Sequence, residues 1–175
     1  MILLLAALVA SQTPPTDAKA SDAVAAFEQL CAGMFAGGKS DIDPSRFTVT
    51  ELPAETVKEV KPDLVNSTVW DVSGKASDMH MLVHYEPSGM CVVEVAEADE
   101  ITIRTDYLSL VERIAKVMKA RPERQADRTN EVQGKAATTS MWRVKGNKRD
   151  VMFAITTYPE AKFMIQHLMT VSYVR

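Results

Sequence analysis

Residues 78–97, DMHMLVHYEPSGMCVVEVAE, decide the fold because they encode two β-strands joined by a tight turn. The turn is Pro87-Ser88-Gly89, in which proline presets φ and glycine accepts the left-handed position of a three-residue hairpin loop. The register that follows pairs three sets of mainly apolar residues: Tyr85 with Cys91, Val83 with Val93, and Met81 with Val95. Because side chains alternate between the two faces of a strand, this face, with Cys91 on it, is predicted to lie in the core.

The opposite face of the hairpin is more polar and carries His80, Leu82, His84, Val92, Glu94 and Ala96. A general acid–base pair could be built from His80, His84 and Glu94. No glycine-rich phosphate loop and no G-x-S-x-G motif accompanies them. We therefore expect a solvated sheet face. The same three residues remain the candidates for an alternative hypothesis, a small hydrolase-like or metal-dependent enzyme.

The run Met79-His80-Met81, with His84 close behind, indicates a possible soft-metal site for copper or silver. Strand geometry argues against it, because both methionines point to the face opposite His80. The two histidines are also about 13 Å apart along the strand. A single metal ion with ligands at about 2 Å does not bridge that distance. We favour the methionines as core residues and predict no cofactor; handling of a soft metal stays as a further alternative.

The N-terminus contains nine apolar residues, ILLLAALVA at positions 2–10, followed by a Ser/Thr/Pro linker. This run is too short to cross a bilayer, which takes about 20 residues, and it matches the hydrophobic region of a signal peptide, although no basic residue precedes Lys19. We predict that residues 1–20 are signal peptide and linker, cleaved near 10–20. Residues 21–175 then form a single domain, periplasmic or secreted, with no transmembrane anchor.

Cys31 and Cys91 are the two cysteines of the chain, and neither belongs to a CxxC motif or a metal-binding spacing. In an exported protein such a pair predicts a structural disulfide. Cys31 falls on the apolar stripe of a predicted helix that starts at an N-cap, Ser21, and ends at Gly37-Gly38. Since Cys91 is also predicted to face the core, a bridge closes a loop of about 60 residues. On the chain-entropy model this stabilises the fold by about 3 to 4.5 kcal/mol.

The rest of the chain predicts further elements around this hairpin. A second amphipathic helix runs from Glu100 or Thr105 to Ala120, and the polar stretch 123–137 is predicted to be a loop. A C-terminal meander follows, with Gly146-Asn147 as a two-residue turn and His167 on its apolar face opposite Phe153. The predicted fold class is α+β, a single domain with an antiparallel β-sheet of about five to six strands and two main α-helices packed on one face.

Composition restricts the function only broadly. The 175-residue chain has a formal net charge of -3, spread along its length, which argues against a nucleic-acid partner. The leading hypothesis is a non-enzymatic envelope module that binds a protein or a small molecule through its sheet face or a helix–sheet groove. The residues do not name that ligand.

Overall fold

The computed structural model describes residues 17–35, 42–125, 127–132, 135–158 and 165–174. Its helices are α1 (Ala18–Phe27), a π-helical segment (Glu28–Ala32), α2 (Gly33–Phe35), α3 (Ala54–Val60) and α4 (Glu100–Val117). Its strands are β1 (Phe47–Glu51), β2 (Thr68–Gly74), β3 (Met79–Tyr85), β4 (Met90–Val95), β5 (Pro122–Arg124), β6 (Arg128–Val132), β7 (Lys135–Val144), β8 (Val151–Thr157) and β9 (His167–Tyr173). No helix in these ranges is long and apolar enough to cross a lipid bilayer.

All the described strands join one antiparallel sheet in the order β1-β2-β3-β4-β9-β8-β7-β5, with β6 also paired to β7. The prediction of five to six strands with two main helices is therefore wrong. The described residues form nine strands and three helical units, since α1, the π-helical segment and α2 are continuous. The protein is α+β in the broad sense but mostly β.

Two of the additional strands, β5 and β6, lie within the stretch that was predicted to be a loop. Their described side chains are mostly exposed, and both strands pair with β7. A strand without a buried face gives no two-residue hydrophobic period, so sequence patterning does not detect it.

The central hairpin has the predicted register. Across β3 and β4 the structure pairs Tyr85 with Cys91, Val83 with Val93 and Met81 with Val95, and these residues face the helices. Strand β9 pairs with β4 on one side and with β8 on the other, so it occupies the middle of the sheet.

Helices α1 and α4 cover the face of the sheet that carries Val83 and Val93, which we call the inner face. Helix α4 starts at its N-cap Asp99, whose carboxylate accepts a hydrogen bond from the Thr102 backbone at 2.8 Å. The buried stripe of α4 centres on Tyr107, whose ring lies 5.2 Å from that of Phe27. The Tyr107 hydroxyl donates to a backbone carbonyl of β9 at 2.9 Å. Burial raises the pKa of Tyr107 well above its ordinary value, so this hydroxyl remains a donor.

The first helix begins earlier than Ser21. Asp17 is its N-cap and accepts from the Lys19 backbone at 3.0 Å. Asp22, one residue after the predicted cap, is buried and accepts hydrogen bonds from Arg46 Nε at 2.6 Å and Ser77 Oγ at 2.5 Å. Asp22 therefore connects the helix to the β2–β3 turn through Ser77. The predicted helix end, Gly37-Gly38, lies outside the described residues.

The disulfide prediction is confirmed. Cys31 and Cys91 are bonded, their Cα atoms are 5.4 Å apart, and both are fully buried. Cys31 lies in the π-helical segment, where Leu30, Cys31 and Ala32 are buried in succession. A π-helical turn widens the helix locally, which is consistent with three neighbouring side chains meeting the same core.

The turn predicted at Gly146-Asn147 is wrong. Strands β7 and β8 pair Val144 with Val151 and Trp142 with Phe153, so residues 145–150 form a longer loop. The Asp150 carboxylate holds this loop by accepting from Arg143 Nε at 2.7 Å. A two-residue turn at Gly146-Asn147 would pair Val144 with Arg149, so the observed register is shifted by two residues. Because side chains alternate between the two faces of a strand, a shift of two leaves every side chain on its predicted face.

Breaking the disulfide should cost about 4 kcal/mol in the free energy of unfolding, because the bond closes a loop across 60 residues of sequence. Urea denaturation of oxidised wild type, reduced wild type and the double variant Cys31→Ala/Cys91→Ala measures this. The reduced wild type isolates the cross-link, since it keeps both sulfur atoms. A loss below about 1 kcal/mol on reduction would contradict the prediction.

Candidate functional site

Helix α3 lies in the connection between β1 and β2 and faces the side of the sheet opposite α1 and α4, which we call the outer face. Thr56, Val60 and Lys61 form one wall of a groove of about 370 Å³, and the outer face forms its floor. We call it the outer groove. Its described apolar lining residues include Leu52, Val60, Leu82, Ala96 and Ile165.

The charged residues of the outer groove are Asp71, Lys61 and Glu94. Lys61 Nζ lies 3.0 Å from Oε1 and 2.8 Å from Oε2 of Glu94. Lys61 directly follows α3, and Glu94 is on β4, which lies beyond β3 when the sheet is followed from β2. The ion pair therefore reaches across the outer face from α3 to β4. The pair therefore holds the wall of the groove over its floor.

Glu94 is 8% exposed and His84 is 4% exposed, so the expectation of a solvated face is wrong for both. Burial alone would raise the pKa of Glu94. The contacts from His84 and Lys61, together with the Lys61 charge, outweigh that effect and hold the pKa below its ordinary value. Glu94 is thus a buried carboxylate that stays ionised.

His84 lies between two carboxylates. Its Nε2 is 3.4 Å from Glu94 Oε1 and its Nδ1 is 3.9 Å from Glu86 Oε1. Within the described residues Nδ1 is buried without a hydrogen-bond partner. His84 does not line the outer groove, so its ring is not presented to a molecule bound there.

His80 is separated from this pair. It is exposed, lines the outer groove, and its Nδ1 lies 3.1 Å from Ser73 Oγ. The structure therefore brings Glu94 together with His84 on one side and with Lys61 on the other, while His80 stands nearer the rim beside Asp71. The three predicted candidates share one face but not one reaction centre.

The methionines of the soft-metal hypothesis are buried on the inner face. Met79 and Met81 are each 2% exposed, opposite to His80 and His84 across the sheet. Among the residues that the structure describes, no group of three or more His, Cys, Asp or Glu side chains is placed to hold a metal ion.

His167 is fully buried on the inner face, opposite Thr157 rather than the predicted Phe153. Its Nε2 lies 2.9 Å from the backbone carbonyl of Ala98, so this nitrogen carries the proton and donates. Its Nδ1 is buried without a hydrogen-bond partner in the described part of the chain. Burial lowers the pKa of His167, which makes it a neutral structural residue near the start of α4.

The polar groups of the outer groove are largely engaged within the protein. Both oxygens of Glu94 are occupied by Lys61, and the backbone amides of the strands that floor the groove serve the sheet ladder. Acyl transfer needs donors aimed at a developing oxyanion, and the described groove residues provide no such cluster. Its apolar walls, in contrast, can exclude water from a bound molecule.

The sequence did not indicate Lys61 or the position of α3. The segment 54–60, AETVKEV, forms a short helix that buries only Val57. The one feature of the sequence that pointed to such a cation was Glu94. An acidic residue between Val93 and Val95 in a central strand requires a cationic partner.

Comparison with protein-family models, with curated proteins and with solved structures gives no match for this chain. The site is therefore interpreted from its own geometry.

Replacing Glu94 with Gln should lower the free energy of unfolding at pH 7 by about 2 kcal/mol, because Lys61 loses its partner in a partly buried position. The folded-state pKa of Glu94 lies below its unfolded value of 4.5, so the stabilisation is present above about pH 4.5 and is lost as the pH falls through the folded pKa. The two proteins should converge in acid. Urea denaturation of wild type, Glu94→Gln, Lys61→Met and the double variant checks this coupling; equal stability of Glu94→Gln and wild type at pH 7 would refute it.

His167 should make the protein less stable as the pH falls from 7 to 5. Its folded pKa lies below the unfolded value of 6.5, so below that pH the unfolded chain binds a proton that the folded protein excludes. The slope contributed by one such group reaches about 1.4 kcal/mol per pH unit.

The matched variant is His167→Gln, which keeps a donor for the Ala98 carbonyl but does not titrate. Its unfolding free energy should depend less on pH between 7 and 5 than that of wild type, and the other two histidines are common to both proteins. Parallel curves would show that His167 is not buried as the neutral form.

Proposed function

We propose that the protein is a non-enzymatic, exported binding module whose outer groove takes a small, mainly apolar organic molecule that carries an amine or another cationic group. The observation that carries this proposal is the groove itself, about 370 Å³ with a largely apolar lining between α3 and the sheet. Pockets that hold small organic ligands have volumes from about 300 Å³ upward and the same mainly apolar character.

The apolar wall supports this proposal because part of it is in contact with water in the free protein. Val60 is 56% exposed although its side chain belongs to the lining of the groove. Covering such surface with a ligand is favourable by about 25 cal/mol for each Å² of apolar area removed from water.

The charge preference follows from Asp71. This carboxylate is exposed at the groove, beside His80, and has no ion-pair partner within the described residues. Among the described lining residues the cation is Lys61, which is already paired with Glu94. A ligand with an amine gains an ion pair with Asp71, whereas a carboxylate in the same place is repelled.

Export is supported by the disulfide together with the apolar N-terminal run. Helix α1 begins at Ala18, and Ala20 is fully buried. Within the predicted range 10–20, cleavage after Ala10 leaves this helix intact, and we propose that position as the processing site. N-terminal sequencing of the secreted protein tests it.

Binding is tested by displacement of the neutral fluorophore N-phenyl-1-naphthylamine by octylamine and by octanoate, which share one chain length and differ in charge. We expect saturable probe binding and displacement by octylamine at a concentration about five to ten times lower than octanoate. In Asp71→Asn this preference should disappear while probe binding persists.

Leu82→Glu is the variant that disrupts the groove. It places a charge on the groove floor and should abolish probe binding. Met152→Glu is the control, since Met152 is a half-buried residue of the same sheet face that does not line the groove. Loss of binding in both variants, or in neither, would contradict the groove as the site.

The enzymatic alternative on His80, His84 and Glu94 makes a separate prediction. It requires turnover of a substrate such as p-nitrophenyl butyrate that falls in His80→Gln and His84→Gln. Binding without turnover supports the binding module, and histidine-dependent turnover overturns it.

A further inference from the structure

A second pocket opens at one end of the interface between the helices and the inner face, across the sheet from the outer groove. Its volume is about 350 Å³. One side of the pocket is formed by Phe35, the last residue of α2, and another by Met118, which follows α4. The loop between β7 and β8 forms the rim. Val151 and Tyr173, paired across β8 and β9, form its floor.

Tyr173 provides an aromatic surface in this pocket. It is 39% exposed at the end of β9, and its ring centroid lies 4.7 Å from that of Phe35. The guanidinium of Arg149 lies over the Tyr173 ring at 5.7 Å. An exposed ring that is held by a second ring and by a cation is pre-organised for stacking, because its side-chain freedom is already reduced.

The rim of the pocket is basic. Among the described residues, Lys148 and Arg149 line it and no carboxylate does. Two carboxylates of the described chain are paired with other cations, Asp150 with Arg143 and Glu123 with Lys145 at 2.7 Å. Within the described residues neither Lys148 nor Arg149 makes an ion pair. This local positive charge stands out in a chain whose formal net charge is -3.

The loop that carries these cations has a tightly constrained backbone. A Cβ atom on Gly146 would lie 2.1 Å from the carbonyl oxygen of Arg149, so the loop closes on itself at a point where only glycine fits. The Gly146 amide also donates to Asp150 Oδ1 at 3.3 Å. The backbone positions of Lys148 and Arg149 are therefore set by the fold.

We infer that this pocket, which we call the basic pocket, binds a small organic anion with an aromatic ring. The ring stacks against Tyr173 and Phe35, and the carboxylate, sulfonate or phosphate group meets Lys148 and Arg149. The basic pocket is independent of the outer groove, because the two share no residue, lie on opposite faces of the sheet and differ in charge.

The test uses the full protein with naphthalene-2-sulfonate as the anionic probe and 2-naphthalenemethanol as the neutral analogue with the same ring system. Fluorescence titration should show saturable binding of the sulfonate and weaker binding of the alcohol. Raising the salt concentration should weaken only the sulfonate, since the ion pairs are partly exposed.

The double variant Lys148→Gln/Arg149→Gln should weaken sulfonate binding about tenfold, and Tyr173→Leu should weaken both compounds. The matched control is Lys58→Gln/Lys75→Gln, which changes the net charge equally at positions that do not line the basic pocket. Equal loss in both double variants would overturn the proposal as an effect of overall charge.

Two further arms separate the alternatives. Leu82→Glu, which disrupts the outer groove, should leave sulfonate binding unchanged, and a loss there would assign the probe to the groove and overturn the inference. Co-sedimentation with phosphatidylglycerol vesicles tests an anionic membrane surface. Vesicle binding without sulfonate binding would also overturn it, whereas saturable sulfonate binding that depends on Lys148, Arg149 and Tyr173 supports it.

Discussion

The structure depends on the burial of strand β4 on both of its faces. Five successive residues, Cys91 to Val95, are buried, because α1 and α4 cover the inner face while α3 and the residues after it lie over the outer face. An acidic side chain in such a strand is stable only with a cationic partner. The contact between Glu94 and Lys61 meets that requirement, and it also fixes α3 at the distance from the sheet that leaves the outer groove open.

The hairpin could be predicted from sequence because its information is local. Pro87-Ser88-Gly89 set the turn, and the alternation of apolar residues set the inner face, which in turn placed Cys91 toward the helix that carries Cys31. The candidate site was predictable only in part, since the same alternation placed His80, His84 and Glu94 on one face. Glu94 is buried beside Lys61, and this contact spans 33 residues of sequence that no local pattern connects. Strands β5 and β6 were missed for a related reason, because polar strands at an edge are specified by their partner β7.

One sheet thus separates two pockets of different chemistry. The outer groove is apolar with an acidic rim, and the basic pocket combines an aromatic floor with two cations. Each is built from short connections that return to the sheet: the β1–β2 connection with α3 for the first, and the β7–β8 loop for the second. The strands themselves serve as a rigid floor, which is the usual relation between scaffold and binding loops.

The position of β9 has a consequence for how the molecule is assembled. Among the described residues, strands β1 to β4 form one set of neighbours and β5 to β8 another, and the two sets are joined through β9, which inserts between β4 and β8. The contacts that unite the sheet are therefore among the longest-range in the chain, and such contacts form slowly. Until residues 167–173 pair with β4 and β8, each of those strands has an unpaired edge, so we expect the sheet to close late in folding.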